Sequence, residues 1–228
     1  MTGKILRRVW AVLIVLALWS AGAGFGAASP QKAALEAALQ KVTVSPMDGA
    51  AHGELARAYN FNGEPGKAAS EAKAALALIP GYAPAVLELA HARRAEGRDE
   101  EAAGLYKTYL SSNPRSPEGL AGISESLARL ERWEESFASA TAAIKESPRE
   151  AVGYGALGRA YRIAGRFREA VEVLGQGLAF SPCRAAMLYD MGMCLAELGD
   201  RVAALAQYEK LLNLDRDMAA LLFEKIYP

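Results

Sequence analysis

The sequence predicts an all-α fold, a right-handed α-solenoid of five 34-residue helix-turn-helix repeats with a leading half-repeat helix and a C-terminal capping helix. Three observations predict it. Prolines stand at Pro46, Pro80, Pro114, Pro148 and Pro182, each 34 residues from the next, and self-similarity at a fixed period of this length marks an array of supersecondary units. Two columns of small residues run through the array. One is Ala56, Ala90, Ser124, Gly158 and Gly192; the other, twelve residues later, is Ala68, Ala102, Ser136, Ala170 and Ala204. Helices in a hairpin approach closely only where both backbones lack bulk. Between these columns lies a turn column, Gly63, Gly97, Glu131, Gly165 and Gly199, where glycine takes the left-handed conformation that closes a helix.

Taken in order, residues 1–28 read as a signal peptide or a membrane anchor. Lys4, Arg7 and Arg8 precede an unbroken apolar run from Val9 to Trp19, and small residues follow to Ser29, which is the basic, apolar, small plan of an export signal. Ala21-Gly22-Ala23 and Gly26-Ala27-Ala28 are candidate cleavage sites. The twenty uncharged residues 9–28 also suffice, as a helix, to span a bilayer and give membrane attachment. Both readings put the rest of the chain in the periplasm or facing it, because the basic flank stays inside. No cysteine stands directly after the apolar run, which excludes a lipoprotein.

Residues 29–48 are expected to form an N-terminal capping helix, from Gln31 to Val44, with Ala34 and Ala38 in register with the second-helix columns. The units that follow are 49–82, 83–116, 117–150, 151–184 and 185–218. Each reads as helix, glycine turn, helix, proline stop, since proline cannot continue a helix and pushes its predecessor out of α. Aliphatic columns such as Leu55, Leu89, Ile123, Leu157 and Met191 supply a continuous core that no single hairpin could bury alone. Residues 217–228 read as a capping helix with Leu221, Leu222 and Ile226 on one side and Glu224 and Lys225 on the other.

The chain has 228 residues, with 26 basic and 26 acidic side chains. Setting aside Lys4, Arg7 and Arg8 leaves 23 basic against 26 acidic residues, a net of −3, which argues against a nucleic-acid partner. Cys183 and Cys194 are too few for a disulfide framework. Cys183 reads as the start of the fifth unit's first helix and Cys194 as near its end, about 16 Å apart and too far to bridge, leaving Cys194 as a small buried residue and Cys183 as an exposed thiol. No H-E-x-x-H, G-x-S-x-G, phosphate loop or C-x-x-C-H is present, so neither a catalytic residue nor a metal or other cofactor is expected.

These repeats resemble the tetratricopeptide repeat, whose pattern W-x-x-L-G-x-x-Y, A-x-x-x-F and P is matched most fully by Tyr154, Leu157, Gly158, Tyr161, Ala170, Leu174 and Pro182. The resemblance covers about residues 31–228. Departures are Glu131 at the turn, Arg216 in place of a fifth closing proline, and His52 and Arg93 in slots that usually hold large apolar residues. The resemblance implies a non-enzymatic scaffold that binds a peptide segment of another protein on its concave face. Carried onto this sequence, the lining is Arg57, Asn60, Leu87, His91, Arg94, Arg129, Arg159, Arg162, Tyr189 and Met193. Arg159 and Arg162 share a helix face and, with Arg129, could hold a ligand's carboxylate or bidentate acidic side chain; they could equally be solvated or paired with Glu125 and Glu197. The family's lysine and asparagine carboxylate clamp is not reproduced. With the export signal, the resemblance implies a part in envelope complex assembly. Two other expectations stand beside it: self-association through exposed apolar residues, and an accessory role binding an anionic small molecule or glycan.

Overall fold

The computed structural model describes residues 30–228, and the export-signal reading of residues 1–28 lies outside them. Twelve α-helices and no strand occur among the described residues: α1 (Pro30–Val44), α2 (Gly49–Phe61), α3 (Pro65–Leu78), α4 (Ala83–Ala95), α5 (Asp99–Ser112), α6 (Pro117–Arg129), α7 (Trp133–Glu146), α8 (Ala151–Ile163), α9 (Phe167–Phe180), α10 (Ala185–Glu197), α11 (Arg201–Leu211) and α12 (Arg216–Ile226). Helices α2 to α11 form five hairpins. The leading helix α1 is a second helix without its first, and α12 is a first helix without its second.

The turn column works as the sequence predicts. Gly63, Gly97, Gly165 and Gly199 all have φ between 72° and 80°. Glu131 adopts the same left-handed conformation at φ 58°, although it carries the Cβ that makes this region unfavourable. Each left-handed residue lets the next amide reach back five residues: Glu64 N to Tyr59 O, Arg98 N to Arg93 O, Arg132 N to Leu127 O, Arg166 N to Tyr161 O and Asp200 N to Leu195 O, all at 2.8–3.0 Å. This Schellman closure satisfies carbonyls that the helix end would orphan. Several of the new helices start on side-chain caps: Asp48 accepts from Ala50 N and Ala51 N, Ser116 from Gly119 N, Asp200 from Ala203 N and Asp215 from Met218 N. With Asp215 as its cap, α12 begins at Arg216, a residue earlier than the sequence boundary.

Ala56, Ala68, Ala90, Ala102, Ala170 and Ala204 are fully buried. In the third hairpin the small pair is Ser124 and Ser136, whose hydroxyls lie 3.1 Å apart while Ser136 Oγ also donates to Ser124 O at 2.8 Å. Both polar groups are thereby satisfied in a fully buried site. Arg93, in an apolar slot, is buried and paired with Glu96 and Glu101. His52 is held by Glu71 (Nδ1 to Oε2, 2.6 Å) and by Pro46 O at 3.1 Å. Tyr154, at the same repeat position, donates to Pro148 O at 3.0 Å, so both rings tie down the proline that closes the preceding unit.

Packing is unequal between the two layers. Each even-numbered helix touches the next even-numbered one, from α2 through to α12, whereas among the described residues no two odd-numbered helices touch. The closely spaced layer must lie on the inside of the bend, so α2, α4, α6, α8, α10 and α12 line the concave face. Residues at the seam between inner helices are small or buried: an added Cβ on Gly53 would meet Tyr82 at 3.0 Å, and one on Gly155 would meet Met187 at 3.5 Å. Leu87 stands in this column. It is 7% exposed and packs with Ala90, Tyr106, Ile123 and Leu127, because the inner helices meet there directly.

At the ends, Ala38 is buried beneath α2, but Ala34 is exposed, since no first helix among the described residues packs on that side of α1. Cys194 is buried and its thiol is pushed up to about 12 by burial, with Asp190 and Glu197 adding to the shift and Arg162 opposing it. Cys183 is exposed and sits in the turn before α10 instead of inside the helix.

Candidate functional site

The arginines of the concave face are engaged with carboxylates of the same chain. Arg159 on α8 donates from Nε to Asp190 Oδ2 at 2.9 Å and from Nη1 to Glu125 Oε1 at 3.1 Å. Arg162, one turn on, donates from Nε to Asp190 Oδ1 at 2.8 Å. Arg94 on α4 is paired with the other oxygen of Glu125 and also donates to the Tyr106 hydroxyl at 3.3 Å. Arg129 donates to the carbonyl of Arg94 at 3.0 Å and lies 3.6 Å from Asp99 Oδ1. A charged ladder, Arg94–Glu125–Arg159–Asp190–Arg162, thus crosses four inner helices. Arg159 and Arg162 are thus paired within the chain, with Asp190, 2% exposed, and with Glu125. Glu197 pairs with Lys225 at 2.7 Å, which corrects its expected pairing with the groove arginines.

The ladder sets its own protonation states. Burial works against the Glu125 carboxylate, yet Arg159, Arg94, Arg129 and His91 together hold its pKa below the usual range. For Arg159, burial opposes the charged form, but Glu125 and Asp190 outweigh it and raise the guanidinium further. Tyr106 is pushed up to about 12 by burial, against the pull of Arg94. Asp99 is raised by burial, with Arg129 and Arg94 opposing, and its Oδ1 accepts no hydrogen bond among the described residues.

The open part of the concave face lies at its other end. A cavity of about 320 Å³ between α2, α4 and α6 is lined by Arg57, Asn60, Phe61, Glu88, His91, Arg94, Ala95, Glu118, Ala121, Gly122, Glu125 and Val152. A second, also about 320 Å³, adjoins it and shares Arg57, Glu88 and Glu118, adding Tyr82, Pro84, Leu87, Tyr109 and Asn113. Phe61 is 66% exposed, with the Arg57 guanidinium 5.6 Å above its ring. His91 stacks at an angle on Tyr106, centroids 5.6 Å apart. Glu88 is nearly buried and accepts from Asn60 Nδ2 at 2.8 Å.

The structure therefore separates the sequence-predicted residues into three groups. Arg57, Asn60, His91 and Arg94 come together around the first cavity, and Leu87 borders the second from beneath. Arg159, Arg162 and Arg129 belong to the ladder. Tyr189 and Met193 are half-buried and pack against the apolar cluster of α11 and α12. Sequence reasoning missed Phe61, Glu88, Glu118 and Asp190. A signal for two of them is present in the spacing: Asn60 and Glu88 are 28 residues apart, as are Arg162 and Asp190, and Arg159 and Asp190 are 31 apart. One repeat less one or two helical turns brings a late position on one inner helix beside an earlier position on the next.

Two models of the tetratricopeptide repeat match this sequence, at residues 62–125 and 156–220. The chain belongs to the tetratricopeptide repeat family. Solved structures agree. TTC0263, a thermophilic tetratricopeptide repeat protein of Thermus thermophilus, superposes with a TM-score of 0.73 at 22% identity, over 79% of this chain and all of that one. YrrB, described as a tetratricopeptide repeat protein with an unusual peptide-binding site, gives a TM-score of 0.51 at 19% identity over 84% of this chain and all of its own. Pseudomonas aeruginosa pilF gives 0.59 at 20% identity, over 79% of this chain and 92% of its own. At these identities the likeness concerns the fold. Among curated proteins none matches the sequence. As a tetratricopeptide repeat protein the chain is a protein-interaction scaffold. Among the described residues, no helix is long and apolar enough to cross a membrane.

Proposed function

We propose that this chain is a non-enzymatic scaffold that captures a segment of a partner protein along the α2–α4–α6 part of its concave face, as a step in assembling an envelope complex. The observation that carries the reading is the pair of adjoining cavities on the inner helices, with Phe61 two-thirds exposed at their edge. A large aromatic beside a cavity with convergent polar groups is the arrangement that anchors a partner side chain. YrrB, with its peptide-binding site, supports the same use of the fold. Export to the outer side of the cytoplasmic membrane is supported by the basic residues Lys4, Arg7 and Arg8 ahead of twenty uncharged ones.

Site-specific photocrosslinking in native cells tests the reading. A benzophenone side chain replacing Phe61 should give adducts with a discrete partner, while one replacing Val202, exposed on the outer helix α11, should not. Adducts from Val202 alone, or from neither, would refute concave capture. Protease added to spheroplasts should digest residues 30–228, and protection would refute export. A second reading, self-association, is favoured by the exposed Leu221, Phe223 and Tyr227 of the C-terminal end; it predicts adducts between two copies of the chain.

A further inference from the structure

Two places on the concave face carry the same three repeat positions with different fillings. Arg57, Asn60 and Glu88 stand 102 residues, three full repeats, before Arg159, Arg162 and Asp190. At the later place both guanidiniums grip the carboxylate, at 2.9 and 2.8 Å. At the earlier place Asn60 stands where the later one has Arg162, and its amide gives Glu88 a neutral hydrogen bond at 2.8 Å. Arg57 lies over the Phe61 ring and makes no ion pair among the described residues. Glu88 is 7% exposed, and the nearest group able to carry positive charge is His91 Nδ1, at 3.7 Å. A carboxylate removed from water without a counter-charge is unfavourable, and this one borders both cavities.

We propose that Glu88 receives a lysine or arginine side chain of the captured partner, at the place that Arg162 fills beside Asp190. Glu118, at the rim of both cavities, draws the cation in. An apolar residue next to that cation on the partner rests against Tyr82, Pro84 and Tyr109 in the adjoining cavity. The partner is therefore a protein segment with a basic residue beside an apolar one, the opposite in charge of a ligand chosen by the groove arginines. This inference rests on concave capture, but the crosslinking experiment judges that reading without a charged probe, so the two can fail separately.

The test uses the full chain and three short, blocked, fluorescently labelled peptides that differ at one central residue: lysine, norleucine or glutamate, each flanked by leucine. Fluorescence anisotropy should show the lysine peptide binding at least about tenfold tighter than the norleucine peptide, and the glutamate peptide weakest. Glu88→Gln should erase the lysine preference. Asn60→Arg should erase it too, by supplying from within the chain the guanidinium that Arg162 supplies to Asp190. Both variants are expected to keep wild-type helicity by circular dichroism. A lysine peptide that binds no better than norleucine, or a preference that survives in the Asn60→Arg protein, would overturn the inference. No binding by any of the three would overturn it as well.

Discussion

The two ends of the concave face contrast an engaged ion triad with an open one. Between α8 and α10, Asp190 is short, almost inaccessible and bound by Arg159 and Arg162. Between α2 and α4, Glu88 is longer, also withdrawn from bulk solvent, and bound by an amide. The repeat positions are the same, so the difference lies in two side chains, asparagine against arginine at residues 60 and 162 and glutamate against aspartate at residues 88 and 190. A repeat scaffold can thus use one set of positions to lock neighbouring units together at one end and to leave a site for another molecule at the other. Buried charges of the first kind are demanding, since the pair is satisfactory only while every partner is present.

The contrast can be broken most forcefully at Asp190. Asp190→Ala leaves two guanidiniums facing each other at a buried seam and is expected to destabilise by about 3–5 kcal/mol, read as a lowered midpoint in urea unfolding. Glu88→Ala, the corresponding change at the open end, should lower it far less, and equal losses would show the two triads to be energetically alike. A swap sharpens the point. Arg162→Asn should cost about 1.5–3 kcal/mol, the worth of a hydrogen bond to a charged group. Asn60→Arg should raise the unfolding temperature, and a lowered one would mean that Glu88 cannot accept an internal cation.

Glu131 lies between the two ends and holds the left-handed turn that glycine holds elsewhere. Glu131→Gly should stabilise by about 0.5–1 kcal/mol, because the strain relieved exceeds the added freedom of the unfolded chain. A Tm shift of one or two degrees downward would contradict this. The smallest effects are in pH. Glu125 has its pKa held down in the ladder, so its contribution is complete above about pH 4.5 and is lost as pH falls through its lower folded value. His52 is the reverse: burial opposes its protonation, but Glu71, Pro46 O and Asp48 outweigh that and raise its pKa. Its contribution is complete below about pH 6.5 and is lost as pH rises through the higher folded value. Unfolding curves from pH 5 to 8 should therefore lose a slight slope in His52→Tyr, a variant that borrows the solution seen at Tyr154. An unchanged slope would locate it elsewhere.

Most of the fold was legible because each repeat column has one physical job. The small columns had to be buried, and Ala56, Ala68, Ala90 and Ala102 are; the turn column had to be left-handed, and even Glu131 complies. The site was legible only in part. A column compares residues 34 apart, as Arg159 and Glu125 are, whereas the other ion pairs of the ladder run diagonally, joining residues 28 or 31 apart on successive inner helices. Read by column, Arg159 meets Glu125; only the diagonal brings Arg159 and Arg162 to Asp190. Leu87 does two jobs that its column does not separate: it packs at the seam between inner helices and lines the second cavity. Phe61 was passed over because an apolar residue at the last position of a helix looks like core until the next helix is seen to leave it uncovered.

Among the described residues the outer helices of successive hairpins never touch one another, and this gives the array a mechanical character. Successive hairpins are joined where inner helix meets inner helix and where each outer helix packs on the next inner one, so the superhelix can open and close by bending about its inner edge. The ladder from Arg94 to Arg162 runs along that edge across the second to fifth hairpins and acts as a stiffening rib. The first hairpin, beyond the rib, is tied to its neighbour across that edge by the neutral link from Asn60 to Glu88. Beyond the rib this first joint is held by the apolar packing of Ala56, Ala68, Ala72, Leu89 and Ala92 and not by charge.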